Sequence, residues 1–242
     1  MKTVLKFYPA VCLAVLLCAF QPAIAKSNSE LIKKVEKTIG LYYPQDFDIS
    51  VSQNGIVKIK GDVNTLYDRY RVYEIVSKIP GVRKIEDDLY VDAPMLPDKE
   101  IENDIIEQFK IVRSILEPEK IKVHVDNGIV FLNGEVSFQR EKEAAETAAS
   151  WQQGVKGIVD DLKVLPPSVA VSDENLHAVL RNVLKDQFPL EKDVRVAIKD
   201  GVVTLNGTVR VLWVRRRIAK EFSRVIGVKN VVNKLRVVPP EF

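Results

Sequence analysis

Two rhythms of apolar residues run along the chain. Val194, Val196 and Ile198 alternate with charged or small residues, which is the period of a strand with one buried face. Just before them, Leu176, Val179, Leu180 and Val183 recur at helical spacing, behind Ser172-Asp173-Glu174, an N-cap followed by acids suited to a helix start. Asp200-Gly201 then reads as a tight hairpin turn, because both central positions tolerate positive φ. Val203, Leu205, Gly207 and Val209 line one face of the next strand, with Thr204, Asn206 and Thr208 on the other. A second helix is predicted over about 211 to 225, and Val228, Val231, Leu235 and Val237 include a last strand. The order is helix, strand, strand, helix, strand.

The same order occurs three times. NGIVKIKGDV at 54–63, NGIVFLNGEV at 127–136 and DGVVTLNGTV at 200–209 are copies of one hairpin. Gly55, Gly128 and Gly201 are 73 residues apart, as are Gly61, Gly134 and Gly207, and Gly81, Gly154 and Gly227. Leu89, Leu162 and Leu235 keep that spacing too. A fixed period of this length marks a tandem array of one module. Proline stretches follow each copy: APMLPD at 93–98, LPPS at 165–168 and the terminal VPPEF. Proline cannot donate to a sheet ladder, so these stretches read as strand stops and linkers. The predicted fold class is α+β: three tandem α-β-β-α-β two-layer sandwiches, each with two helices on a three-stranded sheet. The predicted domains are 26–95, 98–168 and 171–240. Gly61, Gly134 and Gly207 fall on the inward parity, where a missing side chain is expected to let a helix approach closely.

Residues 1–25 have another character. Lys2 and Lys6 precede the apolar run VCLAVLLCAF at 11–20, and Ala23-Ile24-Ala25 supplies a small-x-small pattern. This is the make-up of a secretory signal peptide, with cleavage expected after Ala25 and a periplasmic product. Cys12 and Cys18 both lie inside it, preceded by Val11 and Leu17 rather than by the small residue a lipoprotein signal wants. A chain beginning at residue 26 has no thiol, which excludes disulfides, thiolate metal sites and cysteine nucleophiles from it.

The second half of each copy reads GVRKIEDDLYV at 81–91, GVKGIVDDLKV at 154–164 and GVKNVVNKLRV at 227–237. With G-[IV]-V-x-[IL]-x-G-x-V before it, this signature resembles the BON domain, a family named for osmotically inducible periplasmic and nodulation proteins. The resemblance covers nearly the whole chain after residue 25. It implies small α/β sandwiches and non-catalytic modules of the bacterial envelope, which bind phospholipid surfaces or mediate contacts within the envelope under osmotic or membrane stress.

A search for chemistry returns little. His124 falls on the first strand of copy two and His177 on the first helix of copy three, so they do not share a site. The acidic pairs Asp87-Asp88 and Asp160-Asp161 suggest a cation site, but adjacent strand residues point to opposite faces and copy three has Asn233-Lys234 there. The turns lack the lysine of a phosphate loop. No catalytic residue, metal site or cofactor is expected.

Charge separates the copies. Residues 26–97 hold 11 basic and 11 acidic groups, residues 98–170 hold 9 and 14, and residues 171–242 hold 14 and 8. The basic excess concentrates in VLWVRRRIAKEFSRV at 211–225. At 100° per residue, Val211, Val214, Ile218, Phe222 and Val225 form the core stripe. Trp213, Arg217, Lys220 and Arg224 fall on nearly the opposite side, with Arg216 beside them. These five residues are the candidate lipid-binding site: an amphipathic ring among cations suits the headgroup level of an anionic phospholipid membrane. The competing reading is that a neighbouring module, such as the acidic copy two, covers Trp213 and neutralises the arginines. For the whole chain, the alternative is a protein-interaction or chaperone-like scaffold for other envelope proteins. A nucleic-acid partner is not expected, because of the signal peptide and the lack of aromatic platforms beyond Phe131.

Overall fold

The computed structural model describes residues 28–165 and 171–238. The predicted leader and its cleavage site, part of the second linker and the terminal PPEF lie outside the described residues. Module one comprises α1 (28–40), β1 (Asp48–Val51), β2 (Ile56–Val63), α2 (Leu66–Ser77) and β3 (Lys84–Val91). Module two has α3 (Asp98–Ile111), a short 3-10 turn, β4 (Ile121–Asp126), β5 (Ile129–Val136), α4 (Gln139–Ser150) and β6 (Gly157–Val164). In module three, α5 (Asp173–Gln187) precedes β7 (Arg195–Lys199) and β8 (Val202–Asn206), which continues after Gly207 as β9 (Thr208–Val209). Then come α6 (Leu212–Ser223), β10 (Asn230–Asn233) and β11 (Arg236–Val237).

The predicted α-β-β-α-β order holds in all three. In each sheet the middle strand is the second, antiparallel to the first and parallel to the last, which the second helix connects across the sheet. Ser172 caps α5 by accepting from Asn175 N, as its sequence position predicts. Asn127-Gly128 and Asp200-Gly201 form two-residue turns with both residues at positive φ. Module one departs from this. There only Gly55 is left-handed, and the loop is one residue longer, closed by Ser52 N donating to Ile56 O. That is a type I turn with a bulge, which places the φ > 0 requirement on one residue and releases Asn54 from it.

The second strand glycine also differs from expectation. A Cβ on Gly134 would meet the backbone oxygen of Lys120 at 2.1 Å, and one on Gly207 that of Asp193 at 2.0 Å. What approaches there is the backbone entering the first strand, not a helix.

The three modules do not each enclose a separate core. Val57, Ile59, Val72 and Val76 of module one join Ile105, Val130, Leu132 and Ala149 of module two in one continuous cluster, and Leu212 of α6 enters it. Leu180, Val203, Leu205, Ile218 and Phe222 form a separate core in module three. Modules of about 70 residues bury little surface alone, and merging two cores removes part of that handicap. On α6, Ile218 and Phe222 face inward as predicted, Val211, Val214 and Val225 are only half-buried, and Leu212 is buried in their stead.

Candidate functional site

The five predicted residues sit on α6 where it meets the other two modules. Trp213, half-buried in the first turn, lies under the Lys78 ammonium of module one, 5.3 Å from its ring centroid. The Arg216 guanidinium stacks on Tyr73 of module one at 4.4 Å. Lys220 Nζ reaches Glu143 Oε2 of module two at 3.2 Å, and Arg224 Nε donates to the same carboxylate at 3.0 Å. Arg217 pairs within its own helix with Glu221 at 2.7 Å. The structure therefore brings four of the five into contact with other modules, yet Arg216, Lys220 and Arg224 remain exposed.

These contacts belong to a larger pattern. Tyr67, in the first turn of α2, stacks on Trp151 at the C-terminus of α4, with ring centroids 3.8 Å apart. Trp213, in the first turn of α6, meets Lys78 at the C-terminus of α2. Glu143, in the first half of α4, meets Arg224 at the C-terminus of α6. Tyr67, Arg140 and Trp213 are equivalent by the 73-residue register, and so are Lys78, Trp151 and Arg224. The N-terminal half of each second helix thus meets the C-terminal end of another, from module one to two, two to three and three back to one. Each second helix therefore touches both of the others, and the three pairings form a closed cycle. Head-to-tail order also sets the positive end of each helix dipole against a negative one.

Chemistry differs among the seams. Between modules one and two it is an aromatic stack, and between three and one it is two cation–π contacts. Between two and three the register would oppose Arg140 to Arg224; Arg140 instead lies over Phe138 at 4.7 Å, and Glu143 takes the cations. Glu146 stands near this meeting point. Burial raises its carboxyl above the usual range, with Asp160 and Glu143 adding to the effect and Lys220 and Lys142 opposing it. Burial, with Glu146 next, likewise raises the Tyr70 hydroxyl.

The other sequence candidates find ordinary partners. Asp87 accepts from Arg69 Nε at 3.0 Å on the helix side of the sheet, while Asp88 pairs with Lys58 at 2.8 Å on the open side. Asp160 pairs with Lys142 at 3.3 Å. Among the described residues no group of carboxylates and histidines is arranged to hold a metal ion. His124 stacks on Phe131 with centroids 6.1 Å apart, and His177 contacts Arg181. Tyr67, Lys78 and Trp151 are seam residues that sequence reasoning missed. Their signal was the register itself, since Tyr67 aligns with Trp213, and Lys78 and Trp151 both align with Arg224.

The fold and seams define a class: a tandem array of α-β-β-α-β sandwiches closed into a ring by their second helices. The BON domain model matches residues 27–93, 97–166 and 172–239. The chain belongs to the BON domain family. It is similar to the osmotically-inducible protein Y of Escherichia coli (strain K12), with 30% identity over 122 residues, 48% of this chain and 61% of that protein. The chain therefore matches less than two thirds of that relative's length. Among solved structures, the C-terminal domain of CdsD, the structural protein of the Type III secretion system of Chlamydia trachomatis, aligns over 86% of this chain and 98% of its own, at 16% identity and a TM-score of 0.25. The PrgH periplasmic domain aligns over 81% and 96%, at 11% identity and a TM-score of 0.22. Scores this low define no shared arrangement.

Proposed function

We propose that this chain is a non-enzymatic envelope protein that docks on anionic phospholipid surfaces as a closed three-module unit, through its ring of second helices and α6 foremost. The observation that carries this reading is the exposed mixture of cations and aromatic rings along the seams. Arg216, Lys220 and Arg224 keep access to solvent although they contact other modules, and Trp151 at the end of α4 and Tyr70 on α2 are 55% and 40% exposed. Amphipathic rings together with exposed cations suit the headgroup layer, where a ring is half-buried and cations meet phosphates. The leader read in residues 1–25, the family and a relative named for osmotic induction support an envelope setting and a part in osmotic stress.

Vesicle flotation of residues 26–242 tests the proposal. Binding is expected to vesicles containing phosphatidylglycerol, to be absent with phosphatidylcholine alone, and to fall with salt. Arg216→Glu combined with Arg217→Glu, which leaves the Glu143 seam intact, is expected to abolish it. Binding that ignores lipid charge, or that survives the double substitution, refutes the docking surface.

A further inference from the structure

Each second helix opens on the same register position: Leu66 in α2, Gln139 in α4 and Leu212 in α6. Leu66 and Leu212 are 3% and 4% exposed and belong to the continuous core of modules one and two. Gln139 is only half-buried, and it lines a cleft of about 1180 Å³ between modules two and three. An amide thus stands where the other two helices send a leucine side chain into the core. Val164 and Leu165, at the end of β6, supply apolar lining from module two, and Val225 and Ile226, after α6, supply it from module three. Val164, Leu165 and Ile226 remain 38%, 39% and 58% exposed. Single exposed apolar residues are ordinary, but these three share one concavity.

The cleft also reaches a strand edge. β10 is the outermost strand of its sheet, and its Asn230 and Val231 are part of the lining. Val231 N donates to Asn230 Oδ1 at 2.8 Å, so a neighbouring side chain stands in for a strand partner. Local bonds of this kind compete with a ladder and do not preclude one. Charge on the lining is balanced: Lys142 and Lys229 are matched by Asp173 and Asp200. Lys142 is already paired with Asp160, and Asp173 accepts from the Asp200 and Gly201 N–H groups. The lining therefore favours an uncharged occupant that brings apolar side chains and its own hydrogen-bonding groups. At about 1180 Å³ the cleft also exceeds the roughly 300–1,000 Å³ of an ordinary small-molecule site.

We propose that this cleft takes an extended apolar segment of a partner protein, which adds as a strand to the edge of β10 and inserts a leucine-sized side chain beside Gln139. Main-chain bonds to a sheet edge give such a segment its affinity, and the pocket beside the edge gives it selectivity. The segment supplies from outside what Leu66 and Leu212 supply from within the chain. None of the five residues of the docking stripe lines the cleft, so the proposal is independent of the docking reading.

The test uses residues 26–242 and a short, capped, fluorescein-labelled peptide of alternating leucine and threonine. Its anisotropy is expected to rise and saturate with added protein, while the same peptide with serine in place of leucine stays unbound. The backbone amide resonances of Ile226 and Val231 are expected to move on binding, and that of Trp213 to stay fixed. Gln139→Leu fills the seat from within; it is expected to abolish binding and to leave the melting temperature at or above that of the parent. Ile226→Glu, at an exposed point of the lining, is expected to abolish binding with the melting temperature unchanged. Binding is expected to persist in the Arg216→Glu, Arg217→Glu protein. A peptide whose anisotropy stays flat, or one that the Gln139→Leu protein binds as the parent does, overturns the proposal. So does dodecanoate moving the Ile226 and Val231 resonances where the peptide does not, which marks a seat for an aliphatic chain instead.

Discussion

Glu143 is the acid that holds modules two and three together, so Glu143→Gln should loosen one seam and leave the other two intact. The substitution keeps the side chain's shape and removes its charge. Glu143 receives Lys220 at 3.2 Å and Arg224 Nε at 3.0 Å, and its side chain is only 14% exposed, against 48% and 33% for the two cations. Fully exposed pairs contribute at most about 1 kcal/mol, while hydrogen bonds to charged groups contribute about 1.5–3 kcal/mol. Partial exposure of the cations discounts the larger figure, and Arg224 keeps its pair with Glu221 at 3.0 Å. The expected loss is about 2 kcal/mol, of which about 1 kcal/mol is coupling between Glu143 and Arg224. A double-mutant cycle with Arg224→Gln, followed by urea denaturation of residues 26–242, measures that coupling. In about 1 M salt, where the Debye length falls to about 3 Å, the coupling should drop by half or more. A coupling below about 0.3 kcal/mol in dilute buffer, or one that salt does not change, would refute the reading of this seam as ionic.

Four further outcomes follow from the geometry. Glu141, 3% exposed, accepts from the backbone N–H groups of Leu116, Ser137 and Phe138; Glu141→Ala should cost at least about 2 kcal/mol in denaturant unfolding, because buried donors are left unpaired. A Cβ at Gly134 would lie 2.1 Å from Lys120 O, with φ at 131°, so Gly134→Ala should cost about 3 kcal/mol or more and lower the melting temperature of the unit that modules one and two form through their shared core. Glu146 has its carboxyl raised in the folded state, chiefly by burial; its favourable contribution is present below the ordinary carboxylate value and is lost as pH rises through the raised one. Glu146→Gln should therefore stabilise the protein at neutral pH and lose that advantage in acid, as melting curves across pH will show. Asp87→Asn gives module one the arrangement of module three, leaving Arg69 Nε without the acceptor it has at 3.0 Å; urea titration should show a loss of about 1–2 kcal/mol.

Local features were legible in the chain, and contacts between modules were not. Ser172 as a cap and Asp200-Gly201 as a turn depend on neighbours a few residues away, and both appear where the sequence puts them. Trp213 was legible as an oddity, since an apolar ring opposite the core stripe requires a partner. Lys78 as that partner was not, because nothing near Lys78 in sequence points to a helix 135 residues later. The alternative that acidic copy two would neutralise the arginines matches Glu143 with Lys220 and Arg224, although Trp213 itself went to module one. Asp87, Asp160 and Asn233 were visible as a column of equivalent positions, yet their helix partners, 18 residues earlier, emerge only when strand and helix are packed.

The head-to-tail seams carry a consequence for copy number. A contact that joins the front of one unit to the back of the next has no natural end unless the rotation closes. Here it closes at three, so the third module works as a terminator. A chain cut after residue 165 would retain the front of α4 and the back of α2 as unmatched, complementary surfaces. Such a fragment is equipped to join others of its kind end to end. Within the described residues the third module thus occupies both of the surfaces at which such growth would begin.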